Sequence, residues 1–449
     1  MTNLMIDRTG QWRALVSRPF TWLAIACLAL LSACATGPER PQAPEPVREA
    51  PRPIEPEAKA PPLAEDVKIG VLLPLSGQYA DVGEALLNAA SLAVFDTGDR
   101  RLVLVPRDTQ GTALGAEHAA QQLVADGVKV IIGPLLAAEV RSVAPVAEEQ
   151  GINVIAFSTD RSVAGRGVHL LSFAPEEEVR RVVRYAASRG HKSFAALVPQ
   201  TPYGATVARA FARAVEEAGA EVADIVHYPP DTTQLFDPVR QITRYDERKR
   251  ALEQERAFLR SLGEDDLAEE LLDRLKSLEA LGSVPYDAIM IAEGASLLRV
   301  LAPLLPYYEV DPKEVQFLGT GLWNDPSIVR EPQLIGGWFA APPQDRATAF
   351  AERYRSLYGR EAPRIATLGY DAVALVASLI RSGEMPPFAP DVLTDPNGFE
   401  GIDGIFRFRE NGETERGLVV MGVTRRGFST LSPAPRSFID EPSDEELSQ

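Results

Sequence analysis

The chain of 449 residues is poor in the side chains that most enzymes rely on: two cysteines, four histidines and five methionines. Both cysteines, Cys27 and Cys34, fall in the first 34 residues. Everything downstream therefore lacks a thiol, which excludes disulfides, thiolate metal sites and cysteine nucleophiles there. His118, His169, His191 and His227 are too scattered in sequence to suggest a metal site and read as ordinary histidines. The G-x-S-x-G, H-E-x-x-H and G-x-x-x-x-G-K-[ST] motifs are absent. Asp and Glu pairs occur mainly in charged helical runs, where solvation accounts for them. The expectation is a protein that is not an enzyme and uses no metal and no cofactor.

Long apolar runs are also scarce. Arg8, Arg13 and Arg18 lead into an apolar run from Phe20 to Leu31, too short for an ordinary bilayer span but suited to the core of a secretory signal. Leu31-Ser32-Ala33-Cys34 follows and resembles the lipobox of bacterial lipoproteins. It implies cleavage before Cys34 and lipidation of that cysteine; a cleaved signal with an incidental cysteine is the alternative. A multiply acylated cysteine would anchor firmly, at ~0.8 kcal/mol per buried CH₂.

Excess positive charge is missing too. The formal net charge is −17, and removing a leader with three arginines against Asp7 takes it to −19 (−17 − 2). Such acidity argues against nucleic acid, or an anionic membrane surface, as the main partner.

What is abundant, next, is proline. Nine prolines crowd Gly37 to Pro62, a composition that favours extended polyproline II geometry over a packed core. At ~3.1 Å per residue the stretch from Cys34 to Asp66 could reach roughly 100 Å. It serves as a tether or as a simple spacer.

The body begins with KIGVLLPLSGQYADVGE, Lys68 to Glu84. A β-branched and leucine run reads as a buried strand, Pro74 stops it, Ser76-Gly77 supplies a turn, and Gln78 to Asp81 lead into a helix over about 82–95. Alternation then continues: strands at 101–105, 129–132, 153–157 and 168–173, helices at 113–125 and 136–149. This pattern predicts a mostly parallel sheet flanked by helices. Ligands of such sheets bind beyond the carboxyl ends of the strands. Ser76, Gly77 and Gln78, Gly133 and Pro134, and Ser158 and Thr159 would then converge on one rim, although the PLSG loop serves equally well as a plain turn.

Ala174-Pro175 reads as a crossing into a second lobe with helices at 176–188 and 203–218 and strands at 193–198, 221–227 and 287–292. Tyr203, in TPYG, and Glu293 both sit at strand ends and would face the rim of the first lobe; Tyr203 fits a helix-capping turn as well. Leu235 to Leu281 interrupt the alternation with charged helices carrying Leu267, Leu271, Leu275, Leu278 and Leu281 on one stripe. This insertion is either a solvated addition or a docking site for a protein. Gly319 to Trp323 read as the return crossing, 336–341 as a strand of the first lobe, and 405–408 with 418–423 as a hairpin about Asn411-Gly412. The expected organisation is a leader (1–33), lipidated cysteine and linker (34–65), lobe I (66–173 and 321–395), lobe II (174–320 and 396–431, insertion 235–281) and an acidic flexible tail (432–449).

The ordered segments IGVLLPLSGQYADVGEALLNAASLA, VIIGPLLAAEVRSVAPVAEEQGINVIAFSTD, TPYG, TLGYDAVALVASL and GIDGIFRFRENG resemble the type I periplasmic binding proteins of the leucine/isoleucine/valine-receptor-like branch. The resemblance spans about Val67 to Leu431 and implies an α/β, two-lobed fold. With the lipid signal, the tether, the insertion, YDAIMIAEGASLLRVLAPLLPYY and FLGTGLWNDPSI, the chain further resembles the penicillin-binding-protein activator lipoproteins of Gram-negative bacteria. That resemblance implies an outer-membrane lipid anchor, a body in the periplasm and a class A penicillin-binding protein as partner; Ala35 after Cys34 suits outer-membrane sorting. The alternative is a receptor that delivers an amino-acid ligand to an ABC permease. In amino-acid receptors hydroxyls after the Gly-Pro turn help hold the ligand's carboxylate. Here Ala137 and Ala138 stand there, a loss of about 1.5–3 kcal/mol if such a bond is missing.

Overall fold

A computed structural model describes residues 66–263 and 265–439. Cys34, the leader, the linker and the last ten residues lie outside them.

The first sheet is built by strand–helix alternation, as the sequence predicts. Its elements are β1 (Val67–Leu73), α1 (Ala80–Thr97), β2 (Leu102–Asp108), α2 (Ala113–Ala125), β3 (Val130–Ile132), α3 (Ala137–Glu148), β4 (Asn153–Ala156) and β5 (Val168–Leu170). All five strands run parallel in the order β2-β1-β3-β4-β5. Buried on both faces, β1 and β3 are nearly continuous runs of aliphatic residues, as parallel strands between helical layers must be.

The chain then enters α4 (Pro175–Ser188), β6 (Ser193–Pro199), α5 (Pro202–Glu217), β7 (Glu221–Tyr228), α6 (Phe236–Ile242), α7 (Tyr245–Ser261), α8 (Asp266–Leu275), β8 (Ala288–Ile291), α9 (Ala295–Tyr307), β9 (Gln316–Gly319) and β10 (Trp338–Ala341). It returns to the first lobe through α10 (Asp345–Tyr358), α11 (Ala366–Ser382), α12 (Pro390–Leu393), and a small antiparallel sheet of β11 (Phe399–Gly401), β12 (Gly404–Phe408) and β13 (Thr414–Arg416). The strands β14 (Val419–Thr424) and β15 (Gly427–Ser432) complete the second sheet, ordered β15-β14-β10-β9-β8-β6-β7.

Close packing of α11 on α1 ties the returning chain to the first lobe. A methyl group at Gly369 would run into the backbone of Leu86, so only glycine permits that approach. Leu368, Ala372, Val373 and Val376 then join Leu86, Ala90 and the β1 and β3 side chains in one core. Phe406 and Phe408 belong to the same core.

Three expectations need correction. Residues 319–323 are not a return crossing: β10, expected in the first lobe, pairs with β9 in the second, Trp338 opposite Leu318 and Phe339 opposite Gly319. Phe339 and Ala341 point into one second-lobe core and Ala340 into the other, so burial on both faces fixes the strand there. The return falls at Pro342–Gln344 instead. Residues 399–416 pack on the first lobe, and β12 pairs with β13, not with β14, because Gly412 and Thr414 bond to the Leu170 amide and carbonyl respectively. Finally, the stretch expected to be a flexible tail from residue 432 is partly ordered: Ser432 ends β15, and Phe438 is buried beneath Arg407.

The insertion is helical as expected, but its first part is structural. Leu235, Val239 and Ile242 are fully buried in the second-lobe core. The leucine stripe reaches the surface: Leu267 is 64% exposed, while Ala268 is its buried neighbour.

Candidate functional site

On the first lobe, the strands deliver their carboxyl ends to one edge, and the loops there are fastened by acidic side chains. The Ser76 hydroxyl donates to Asp108 Oδ2 (2.6 Å), and the Leu75 and Gln110 amides donate to Oδ1 (both 2.8 Å). Burial opposes ionisation of Asp108, but hydrogen bonds from Ser76, Gln110 and Leu75 outweigh it and hold its carboxyl below the usual range. Ser76, Gly77 and Gln78 are exposed, with Gly77 at φ +79°, a left-handed value natural to glycine.

Gly133 and Pro134 are buried and sit in the backbone ladder. The Gly133 amide donates to the Ile155 carbonyl (2.8 Å), and the Phe157 amide to the Pro134 carbonyl (3.0 Å). Beyond them, the start of α3 is occupied by its own carboxylate: Glu139 accepts from the Leu136 amide (3.0 Å) and the Thr109 hydroxyl (2.6 Å). Glu139 is fully buried, and burial raises its carboxyl above the ordinary value. A ligand carboxylate would compete with that internal group. Ser158 is buried and accepts from the Asp160 amide (3.1 Å), whereas Thr159 is exposed.

On the second lobe, Thr201 caps α5 through the Gly204 amide (3.1 Å) and places Tyr203 on its first turn. The Tyr203 hydroxyl lies 2.8 Å from Thr320 Oγ1. Beside it the Tyr228 hydroxyl donates to Glu293 Oε2 (2.8 Å), whose other oxygen accepts from the Gly294 amide (3.0 Å). Burial pushes both tyrosine hydroxyls up, and the Glu293 charge raises each further. Glu178 accepts from the Gly321 amide (2.8 Å), and burial pushes its carboxyl up to about 7.

Tyr203 and Glu293 are thus brought together, and so are the three first-lobe loops. Among the described residues no hydrogen bond joins the two sets; Arg161 bridges the lobes instead. Its guanidinium reaches Glu413 at 2.9 Å on the first lobe, and Glu177 at 3.3 Å at the start of α4. A groove of about 1040 Å³ runs past Thr159, Arg161, Tyr203 and Arg409.

Sequence reading missed Asp108, Tyr228, Thr320 and Glu178. Tyr228 was within reach, since it ends β7 directly before Pro229-Pro230, the same strand-end position that singled out Glu293. Glu178 lies in a run of three glutamates that reads as a charged helix start.

A parallel sheet and a second, mostly parallel one with two antiparallel edge strands, joined by three crossings and edged with polar loops, define the α/β two-lobed fold of the periplasmic binding proteins. A family model described as "Periplasmic binding protein" matches residues 66–246. The chain is 25% identical over 187 residues to Leu/Ile/Val-binding protein homolog 6 of Brucella abortus, covering 40% of this chain and 48% of that one. The match thus spans about half the length of that relative. A solved structure from Rhodospirillum rubrum described as a branched-chain amino acid ABC transporter protein superposes with a TM-score of 0.64 at 18% identity, covering 82% of this chain and 100% of that one. An ABC transporter substrate-binding protein from Desulfitobacterium hafniense, in complex with Leu, gives 0.55 at 20% identity over 82% of this chain and 100% of that one. The body therefore has the fold of these binding proteins.

Proposed function

We propose that the protein is a non-catalytic envelope lipoprotein, held at the outer membrane through Cys34, whose periplasmic body docks on a class A penicillin-binding protein and stimulates peptidoglycan synthesis. The observation that carries this reading is the α7–α8 hairpin. Phe258 (58% exposed) and Leu262 (50%) lie four residues apart on one helical face, and Leu267 (64%) opens the next helix. Large apolar side chains gathered on a charged, solvated insertion mark a contact surface. Because 235–242 belong to the core, deleting the whole insertion would unfold the lobe. The test is therefore Phe258→Asp with Leu267→Asp in the full chain. Co-purification with the synthase should be lost while the melting temperature is kept; undiminished binding would sink the reading.

A second reading, a solute-binding receptor for amino acids serving an ABC permease, is favoured by the Tyr203–Tyr228–Glu293 group, with Ser76 to Gln78, Gly133, Pro134, Ser158 and Thr159 at the strand ends of the other lobe. Glu293 offers a carboxylate at a strand end, suited to a ligand ammonium. Calorimetry with leucine, isoleucine and valine tests it; saturable heat abolished by Glu293→Gln is the expected result, and no heat with any of the three rejects it.

A further inference from the structure

The groove beside Thr159 and Tyr203 has a chemistry that neither reading assigns. At about 1040 Å³ it stands at the top of the range of about 300–1,000 Å³ that encloses drug-sized ligands, more room than one amino acid fills. Its walls contain no Leu, Ile, Val, Met or Phe. They carry instead the hydroxyl and amide groups of Thr159, Ser162, Thr206 and Asn411, with the ring of Tyr203 among them.

Most charges in the groove already answer one another. Arg161 pairs with Glu177 and Glu413, Arg180 with Glu177, and Arg409 with Glu415. Two cations do not. Among the described residues Arg213 meets no partner, and Arg209 touches only the Thr206 hydroxyl, at 3.3 Å. They lie four residues apart on the exposed side of α5, about 6 Å along its axis. Glu217, the last residue of α5, is the unpaired carboxylate set against them. In a chain of net charge −17, guanidinium groups left unpaired in a groove are a focused attraction for anions. Their planar forks match carboxylates.

We propose that this groove binds an acidic glycan, a sugar chain bearing carboxylates. Arg209 and Arg213 take the carboxylates, and the hydroxyl and amide side chains take the sugar hydroxyls. An acidic peptide would use the same arginines, but would find only alanines and prolines, and no large aliphatic side chain, to pack its own side chains against. The inference needs neither the lipid anchor nor the α7–α8 surface, so it stands or falls separately from the docking reading.

The test is calorimetric titration of the full chain with tetragalacturonate at low salt, with neutral chitotetraose and tetraglutamate as comparators. The double variant Arg209→Gln/Arg213→Gln, altered at exposed positions only, is titrated alongside, and its melting temperature should match that of the parent. Saturable binding of tetragalacturonate that salt weakens, and that the variant loses by about tenfold or more, is the expected result. Absent binding, equal affinity for chitotetraose, tighter binding of tetraglutamate, or an unaffected double variant would each overturn the proposal.

Discussion

Arg161 of the first lobe and Glu177 of the second lie 3.3 Å apart, with Glu177 only 6% exposed and also held by Arg180. This contact fastens the lobes beside the crossing at 171–174. Because Arg161 is partly exposed, the pair contributes modestly, about 1 kcal/mol at most. A double-mutant cycle of Arg161→Ala and Glu177→Gln should give a coupling near that figure, shrinking in high salt. Coupling indistinguishable from zero at low salt would deny it the role of a fastening.

Asp371 is buried inside α11 with Asp403 near it, and burial, then that neighbouring charge, pushes its carboxyl up to about 7. One oxygen accepts from the Ile402 amide (2.8 Å); the other has no partner among the described residues. In the unfolded chain the same group titrates near 4. Between about pH 4 and 7 the folded state therefore holds a proton that the unfolded state has released, so this group lowers stability as pH rises through that window. Asp371→Asn keeps the acceptor for Ile402 and removes the charge. Its melting temperature should exceed that of the parent most at pH 8, with the difference closing toward pH 4; a pH-independent difference would contradict this.

His169 behaves in the opposite sense. It packs on Phe408 (ring centroids 5.1 Å), is 5% exposed, and burial lowers its pKa to about 4. Below about pH 6.5 the unfolded state gains a proton that the folded state refuses, so stability falls as pH drops from about 6.5 to 4. His169→Leu should flatten that part of a thermal-denaturation profile. A slope identical to the parent's would mean that the imidazole protonates in the folded protein.

Gly369 sits mid-helix, where alanine ordinarily stabilises by up to about 1 kcal/mol. Here the sign reverses, because the added methyl meets the Leu86 backbone. Gly369→Ala should cost about 1–3 kcal/mol by forcing α1 and α11 apart, read as a lower denaturation midpoint in urea. A stabilised variant would show that the helices have room to move.

The strand–helix order of the first lobe was legible because local patterns settle it: β-branched runs, proline stops and helical periodicity all act within a dozen residues. The same logic placed Ser76, Gly133, Ser158, Tyr203 and Glu293 at strand ends, since in a parallel sheet every strand delivers its last residue to one edge. It did not reveal what those residues bond to. Asp108 holding Ser76, Thr320 holding Tyr203 and Tyr228 holding Glu293 each join residues 32, 117 and 65 positions apart, and no local pattern encodes such partners.

Composition and periodicity alone determined that the body is an α/β protein without thiols, with a helical interruption in its second half. Tertiary structure decided which sheet received each later strand. A run such as Trp338–Ala341 satisfies a buried strand in either lobe, and only the fit of its side chains between two particular helical layers chooses. It decided equally which charges were spent on one another and which, like Arg213, were left facing an open groove, because pairing depends on distances in space that the order of residues does not set.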